Sequence, residues 1–116
     1  MRVVPSLMSL WDERAAANEA LFRSVNEQVR HLAGRHYGAL EPTGFVCECA
    51  DDLCTERIHV SLEIYEVVRA HPRYFLVVNG HEDHEIEKLV DSGAGFAIVE
   101  KEGDAAQVAE ETDPRA

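Results

Sequence analysis

The spacing of apolar side chains predicts one long amphipathic helix near the start of the chain. Residues 10–33 contain no glycine or proline, and their apolar positions recur every three or four residues, as on one face of a helix. Ser9, with Asp12 three residues later, is typical of a helix N-terminus, so the helix is predicted from Leu10 to about Ala33. The predicted seam of this helix consists of Trp11, Ala15, Asn18, Phe22, Val25, Val29 and Leu32.

The predicted seam has two interpretations. In the first, the helix packs its seam against its own domain. In the second, the seam joins two copies of the chain in a homodimer, and Asn18 fixes the register of the helix pair. The seam extends over about three heptads, which is the lower limit for a coiled coil, so both interpretations stay open.

After a connector punctuated by glycine and proline, residues 34–44, the pattern changes to short apolar runs separated by turn residues. Two short helices are predicted, one at residues 62–71 with Ser61 as its cap, and one at residues 84–91. The order of elements predicts an α+β fold, in which a long N-terminal helix and further helices cover a small, mostly antiparallel sheet. Its strands are predicted at residues 45–49, 57–60, 74–78 and 95–100.

The only three cysteines of the chain fall within eight residues, as Cys47, Cys49 and Cys54. Side chains two residues apart share a face of an extended chain, so Cys47 and Cys49 can point into one pocket. A turn at Asp51-Asp52 would bring Cys54 back toward them. Three thiolates so close together suit zinc or a similar metal, for which a fourth nitrogen or sulfur ligand completes a tetrahedron. A thiol–disulfide switch and ordinary buried cysteines are the alternatives.

The fourth ligand is sought among the six histidines of the chain. His81 is the first candidate, because it follows a predicted buried strand and the Asn79-Gly80 turn, and loops after buried strands commonly carry ligands. His71 and His59 come next. The negative end of the second helix favours the charged form of His71, which opposes metal binding. A site without a fourth protein ligand is the remaining alternative.

Composition and charge narrow the class of protein. The chain carries 22 acidic and 11 basic residues, a formal net charge of −11, which disfavours a nucleic-acid partner because phosphate binding draws on lysine and arginine. No apolar run approaches the roughly 20 residues of a membrane span. The N-terminus lacks the apolar core of a secretory signal. The protein is therefore expected in the cytoplasm, where thiols stay reduced and a cysteine cluster indicates metal binding or redox chemistry.

The 116 residues are predicted to form one domain with a short extension at each end. Residues 1–9 form a flexible leader, residues 10–101 form a single α+β metal-binding domain, and residues 102–116 form an acidic tail. The tail is expected to hold one helical turn or to fray.

Four motifs follow one another along the chain: Cys47-Glu48-Cys49-x4-Cys54, Glu63-Ile64-Tyr65-Glu66-Val67-Val68-Arg69, Phe75-x-Val77-x-x-Gly80-His81-Glu82 and Val99-Glu100-Lys101. This pattern resembles a family of small uncharacterised proteins from actinobacteria and relatives. The resemblance covers residues 17–113, including the first helix. The family usually has proline where this chain has Asn79. The resemblance implies that His81 is the partner of the thiolates, and it implies no activity.

Three hypotheses for function arise from these residues. The first is a cytoplasmic domain whose bound Zn²⁺ is mainly structural and which acts as a protein-interaction or regulatory module. The second is a redox or metal sensor that uses the same thiols. The third is a metal-dependent hydrolase, with an open zinc position facing a cleft lined by Glu48 or Glu82.

An enzyme is the less expected of these, and no catalytic or cofactor-binding residue is predicted. Four protein ligands would saturate zinc, whereas catalytic sites keep one position free for water. Glu48, Asp51 and Asp52 add negative charge that would raise the pKa values of the thiols and oppose their activation without a metal.

Overall fold

A computed structural model describes residues 7–35, 38, 40–51 and 53–115, and of residues 7–13 it describes only the helical backbone. The chain has an α+β fold, as the sequence predicts. Its elements are α1 (Leu7–Ala33), β1 (Pro42–Val46), β2 (Arg57–Ser61), α2 (Leu62–Arg69), β3 (Tyr74–Val77), β4 (Glu87–Gly93), β5 (Phe96–Lys101) and α3 (Gly103–Glu111).

The strands form two antiparallel sheets rather than one. β1 and β2 pair as a two-stranded sheet, with Phe45 opposite Ile58. β3, β5 and β4 form a three-stranded sheet in that order, with Leu76 opposite Ile98. α2 follows β2 directly and contacts both β2 and β3, so it connects the two sheets.

The core lies where α2 meets the sheets. Ser61 caps α2 as predicted, because its Oγ accepts a hydrogen bond from the backbone N–H of Ile64 at 3.2 Å. The rings of Phe45 and Tyr65 stack with their centroids 4.3 Å apart. Burying two aromatic side chains removes much apolar surface from water, which stabilises so small a domain. Their neighbours in the core include Ile58, Val60, Val68, Phe75, Leu76, Val77, Ile98 and Val99.

The buried face of α1 is polar, and it differs from the predicted seam. Val25 and Leu32 of the seam are 38% and 58% exposed in the single chain, so the seam is not buried as a whole. Glu19, Arg23 and Asn26 are buried in its place. These three find partners on other elements, and that pairing is what allows the helix to bury them. The side chain of Trp11, also in the seam, lies outside the described residues.

Arg23 illustrates this packing of α1. Its guanidinium donates to the backbone carbonyl oxygens of Pro72 and Ala109 at 2.7 and 2.6 Å, and it lies 4.5 Å from the ring centroid of Phe75. Ala109 belongs to α3, so the arginine links the first helix of the chain to the last.

The predicted helix at residues 84–91 is wrong. Residues 84–86 form a turn, and the segment from Glu87 onward forms the edge strand β4, in which Glu87 is the only buried residue. An edge strand with one buried position carries no period-two pattern, and its identity is fixed by hydrogen bonds to β5. The apolar side chains of this strand, Leu89 and Val90, are exposed.

The ends of the chain also differ from the prediction. α1 begins at Leu7 and not at Leu10, so Ser9 lies within the helix. Residues 1–6 of the predicted leader lie outside the described residues. Residues 103–111 of the predicted tail form the helix α3, which buries Ala106 and Ala109 and contacts α1 and β5. The tail is therefore partly a packed element of the domain.

Candidate metal centre

The segment that follows β1 carries the first two cysteines. Backbone hydrogen bonds hold it in place, from Cys47 N–H to the carbonyl of Glu56 at 3.2 Å and from Glu48 N–H to the carbonyl of Leu76 at 2.8 Å. Consecutive side chains point in opposite directions. The thiols of Cys47 and Cys49 face one cluster, while Glu48 points into the core. This is the alternation that the sequence predicts for Cys47 and Cys49.

A turn brings the third cysteine to the other two. The backbone N–H of Cys54 donates to the carbonyl of Asp51 at 3.1 Å, and the carboxylate of Asp51 accepts from Leu53 N–H at 2.9 Å. Aspartate commonly stabilises turns in this way. Asp52, the other residue of the predicted turn, lies outside the described residues.

His81 reaches the thiols from the turn after β3. Its backbone N–H donates to the carbonyl of Val78 at 2.9 Å, and Gly80 has a φ of +93°, which other residues rarely adopt. The backbone N–H of Val78 also donates to Cys47 Sγ at 3.2 Å, which ties the turn to the cysteine segment. The ring atom Nδ1 of His81 lies 3.6 Å from Cys47 Sγ and 3.7 Å from Cys54 Sγ.

The four side chains lie close enough together to hold one metal ion. Their ligand atoms all lie within 4.8 Å of one another. Zinc with ordinary bond lengths has tetrahedral edges of about 3.6 Å between sulfur and nitrogen and about 3.8 Å between two sulfurs. The distances from Nδ1 of His81 to the two sulfurs, 3.6 and 3.7 Å, match the first value. Cys47, Cys49, Cys54 and His81 therefore lie close enough to bind a metal ion.

The other two histidine candidates lie elsewhere. His59 is exposed on β2, with its ring over Gly44. His71 stacks on Tyr74 with the ring centroids 4.1 Å apart, and its Nε2 is 3.8 Å from a carboxylate oxygen of Glu100. Within the described residues, only His81 joins the thiols.

Hydrogen bonding and burial shift the pKa values of the three thiols in different directions. A hydrogen bond from Cys47 lowers the pKa of Cys49 to about 5, and the same contact, followed by burial, raises the pKa of Cys47. Burial raises the pKa of Cys54. Without a metal, the hydrogen-bonded thiols therefore favour a single thiolate within the cluster. A bound cation would favour deprotonation of the other two, since thiolates are the form that binds metal.

A buried polar network beneath the cluster was missed in the sequence. The fully buried carboxylate of Glu48 accepts hydrogen bonds from Arg69 at 2.8 Å, from Asn26 at 2.7 Å and from Leu76 N–H at 2.9 Å. Glu48 therefore pairs with Arg69 and does not stand as an uncompensated charge beside the thiols. The position of Glu48 between Cys47 and Cys49 could have revealed this network in the sequence. In an extended segment, two residues separated by one share a face, so the residue between them points to the opposite face.

A pocket of about 270 Å³ opens beside Cys49 and His81. Neither Glu48 nor Glu82, the residues expected to line a catalytic cleft, is among its lining residues. Glu48 is buried in the network below, and Glu82 accepts a hydrogen bond from Gly80 N–H at 3.0 Å. The remaining walls of the pocket are Glu19, Ala50, Asp51, Asp83 and Glu87.

No protein-family model, curated protein or solved structure matches this chain. The fold and the cluster define its class as a small α+β protein with three cysteines and a histidine that can hold a metal ion. None of the helices among the described residues is long and apolar enough to cross a membrane.

Proposed function

We propose that Cys47, Cys49, Cys54 and His81 bind one Zn²⁺ ion and that this ion is mainly structural. The single observation that carries the proposal is the mutual distance of the four ligand atoms, all within 4.8 Å. Three sulfurs and one nitrogen form a ligand set typical of structural zinc, and four protein ligands leave no position for a reacting water.

The positions of the ligands support a structural role. Three ligands belong to the segment between β1 and β2, and His81 follows β3 of the other sheet. A metal held by all four would cross-link the two sheets at the ends of their strands. Small domains gain much of their stability from such links, because their own cores bury little area.

The domain is proposed to act in the cytoplasm as a protein-interaction or regulatory module. The net charge of −11 supports a protein partner over nucleic acid, because a polyanion would be repelled. The exposed apolar side chains of α1, Leu21, Val25 and Leu32, offer a surface for that partner or for a second copy of the chain.

We also propose that the chain belongs to the family of small actinobacterial-type proteins that it resembles. The four sequence motifs between Cys47 and Lys101 support this proposal.

Elemental analysis of the purified protein tests the zinc proposal. We expect about one zinc per chain, and three reactive thiols only after a chelator is added. His81→Ala and Cys49→Ser should each lose zinc. His59→Ala, which removes an exposed histidine of β2, is the matched control and should keep it. A metal-free protein with unchanged stability would contradict the proposal, and a disulfide among the thiols would favour the redox sensor.

A second candidate function is metal-dependent hydrolysis, and the pocket beside Cys49 and His81 favours it. A water in that pocket would reach the metal only if the coordination expanded beyond the four protein ligands. Substitution with Co²⁺ distinguishes the two candidates, since its visible spectrum reports coordination number. A tetrahedral spectrum that added imidazole leaves unchanged supports the structural role, whereas a five-coordinate spectrum supports the hydrolase.

A further inference from the structure

The side chain of Glu56 contacts the face of His81 that points away from the thiols. Its Oε2 lies 3.1 Å from Nε2 of the imidazole, while Nδ1 of the same ring faces Cys47 and Cys54. Glu56 follows Cys54 by two residues and immediately precedes β2. Its side chain is 57% exposed, so it is not part of the core.

This contact favours one tautomer of the His81 imidazole. An ionised carboxylate accepts hydrogen bonds and cannot donate one, so the 3.1 Å distance between Nε2 and Oε2 favours the neutral tautomer that carries its proton on Nε2. The lone pair is then on Nδ1, which is the atom directed at the sulfurs. A histidine binds metal through an unprotonated nitrogen, and the bond made by its other nitrogen sets which one is free.

The backbone of Glu56 also contacts the cysteine segment. Its carbonyl accepts from Cys47 N–H at 3.2 Å. One residue therefore contacts two of the four candidate ligands, Cys47 and His81. The backbone contact survives a change of side chain, so a substitution at position 56 isolates the contact with His81.

We propose that Glu56 is a positioning residue of the metal centre, which holds His81 in the tautomer and ring orientation that bind the metal through Nδ1. The proposal rests on the proposed zinc site. Carboxylates that accept from a ligand histidine orient the ring and raise its basicity, and their loss costs about 10- to 100-fold in metal affinity. Nearby Glu82 does not serve this role, since its carboxylate accepts from Gly80 N–H.

The test is the zinc affinity of the full chain, measured by competition with a chromophoric chelator. We expect Glu56→Ala to bind zinc about 10- to 100-fold more weakly than wild type. Glu56→Gln should lose much less, because its amide oxygen still accepts from Nε2–H. Glu63→Ala, at an exposed glutamate of α2, is the matched control and should bind as wild type does.

A nitrogen-15 NMR spectrum of the histidine rings supplies a second measurement that a general loss of stability would not change in the same way. In the zinc-loaded wild type, Nε2 of His81 should carry a proton protected from exchange. In Glu56→Ala that proton should exchange faster, and in Glu56→Gln the protection should return. Zinc affinity of Glu56→Ala equal to wild type, with an unchanged Nε2–H signal, would overturn the inference. Failure of the wild type to bind zinc would instead refute the zinc site itself.

Discussion

Glu48 lies between two candidate ligands, and its carboxylate is one of the few charged groups without exposure to solvent. Burying a carboxylate costs several kcal/mol unless the group is paired and hydrogen-bonded. Here Arg69, Asn26 and the backbone of Leu76 supply these contacts. Asn26 also bonds both the carbonyl and the N–H of Val46, each at 2.8 Å. The network therefore fixes the backbone on which the cysteines are carried.

We predict that Arg69→Ala lowers the free energy of unfolding by about 3–5 kcal/mol, because it leaves the buried charge of Glu48 without its cation. Urea unfolding followed by circular dichroism measures the change. Arg57→Ala removes an exposed arginine of β2 and should change stability by less than about 0.5 kcal/mol. If the two substitutions lowered the free energy of unfolding equally, the prediction would be wrong, because the buried Arg69 would then contribute no more to stability than the exposed Arg57.

At the scale of elements, three segments meet at one buried lysine. The ammonium of Lys101, at the end of β5, contacts the carboxylates of Glu19 on α1 and Glu87 on β4. Both carboxylates also line the pocket beside the candidate metal centre. One ammonium cannot neutralise two buried carboxylates, so the arrangement favours a proton on one of them. Burial accordingly raises the pKa of Glu87 to about 7.

This raised pKa predicts a pH dependence of stability. The pKa of Glu87 is about 7 in the folded chain and 4.5 in the unfolded chain, so the folded state binds more protons between these values. The free energy of unfolding should therefore fall as the pH rises from 4.5 to 7, by at most about 1.4 kcal/mol per pH unit. Burial lowers the pKa of Lys101 to about 7, so this lysine stays mostly charged below about pH 6, and its own titration opposes the fall in stability only near the upper end of the window.

Urea unfolding at several pH values between 5 and 7 measures this dependence. Glu87→Gln mimics the protonated carboxyl, so its stability should fall less with rising pH than that of the wild type. Glu85→Gln, at an exposed neighbour, should follow the wild type. All three proteins keep the same candidate ligands, so loss of metal affects them alike. Parallel curves for wild type and Glu87→Gln would contradict the assignment.

At the scale of the whole molecule, the proposed zinc ion joins two sheets that share no hydrogen-bonded strand pair among the described residues. We predict that removing zinc with a chelator, under reducing conditions, lowers Tm by more than about 10 °C. A loss of only about 3 kcal/mol would suffice, since each kcal/mol shifts Tm by about 4–8 °C in a domain of this size. Adding zinc back should restore Tm.

Hydrogen exchange locates the effect within the molecule. Exchange should increase most in the segments that carry the ligands, residues 47–56 and 78–83, and least in β5, which is paired on both sides. A uniform increase along the whole chain would mean that the metal stabilises the fold globally and is not a local cross-link.

Local patterns in the sequence determined most of the elements and the candidate ligands. The period of apolar residues predicted α1, and the hydroxyl of Ser61 marked the start of α2 where the structure has it. The spacing of Cys47, Cys49 and Cys54 placed three sulfurs near one another within a single short loop. These features depend on residues close in sequence, so the chain by itself specifies them.

Only the tertiary structure decided which polar groups are buried and what surrounds the cluster. The buried face of α1 carries Glu19, Arg23 and Asn26, whose partners are distant in sequence, and no local pattern distinguishes them from solvated residues. The same holds for β4, which is a strand because β5 pairs with it, and for the contact of Glu56 with His81. A charged side chain becomes favourable to bury only when folding brings its partner to it, so the sequence around that side chain cannot reveal the outcome.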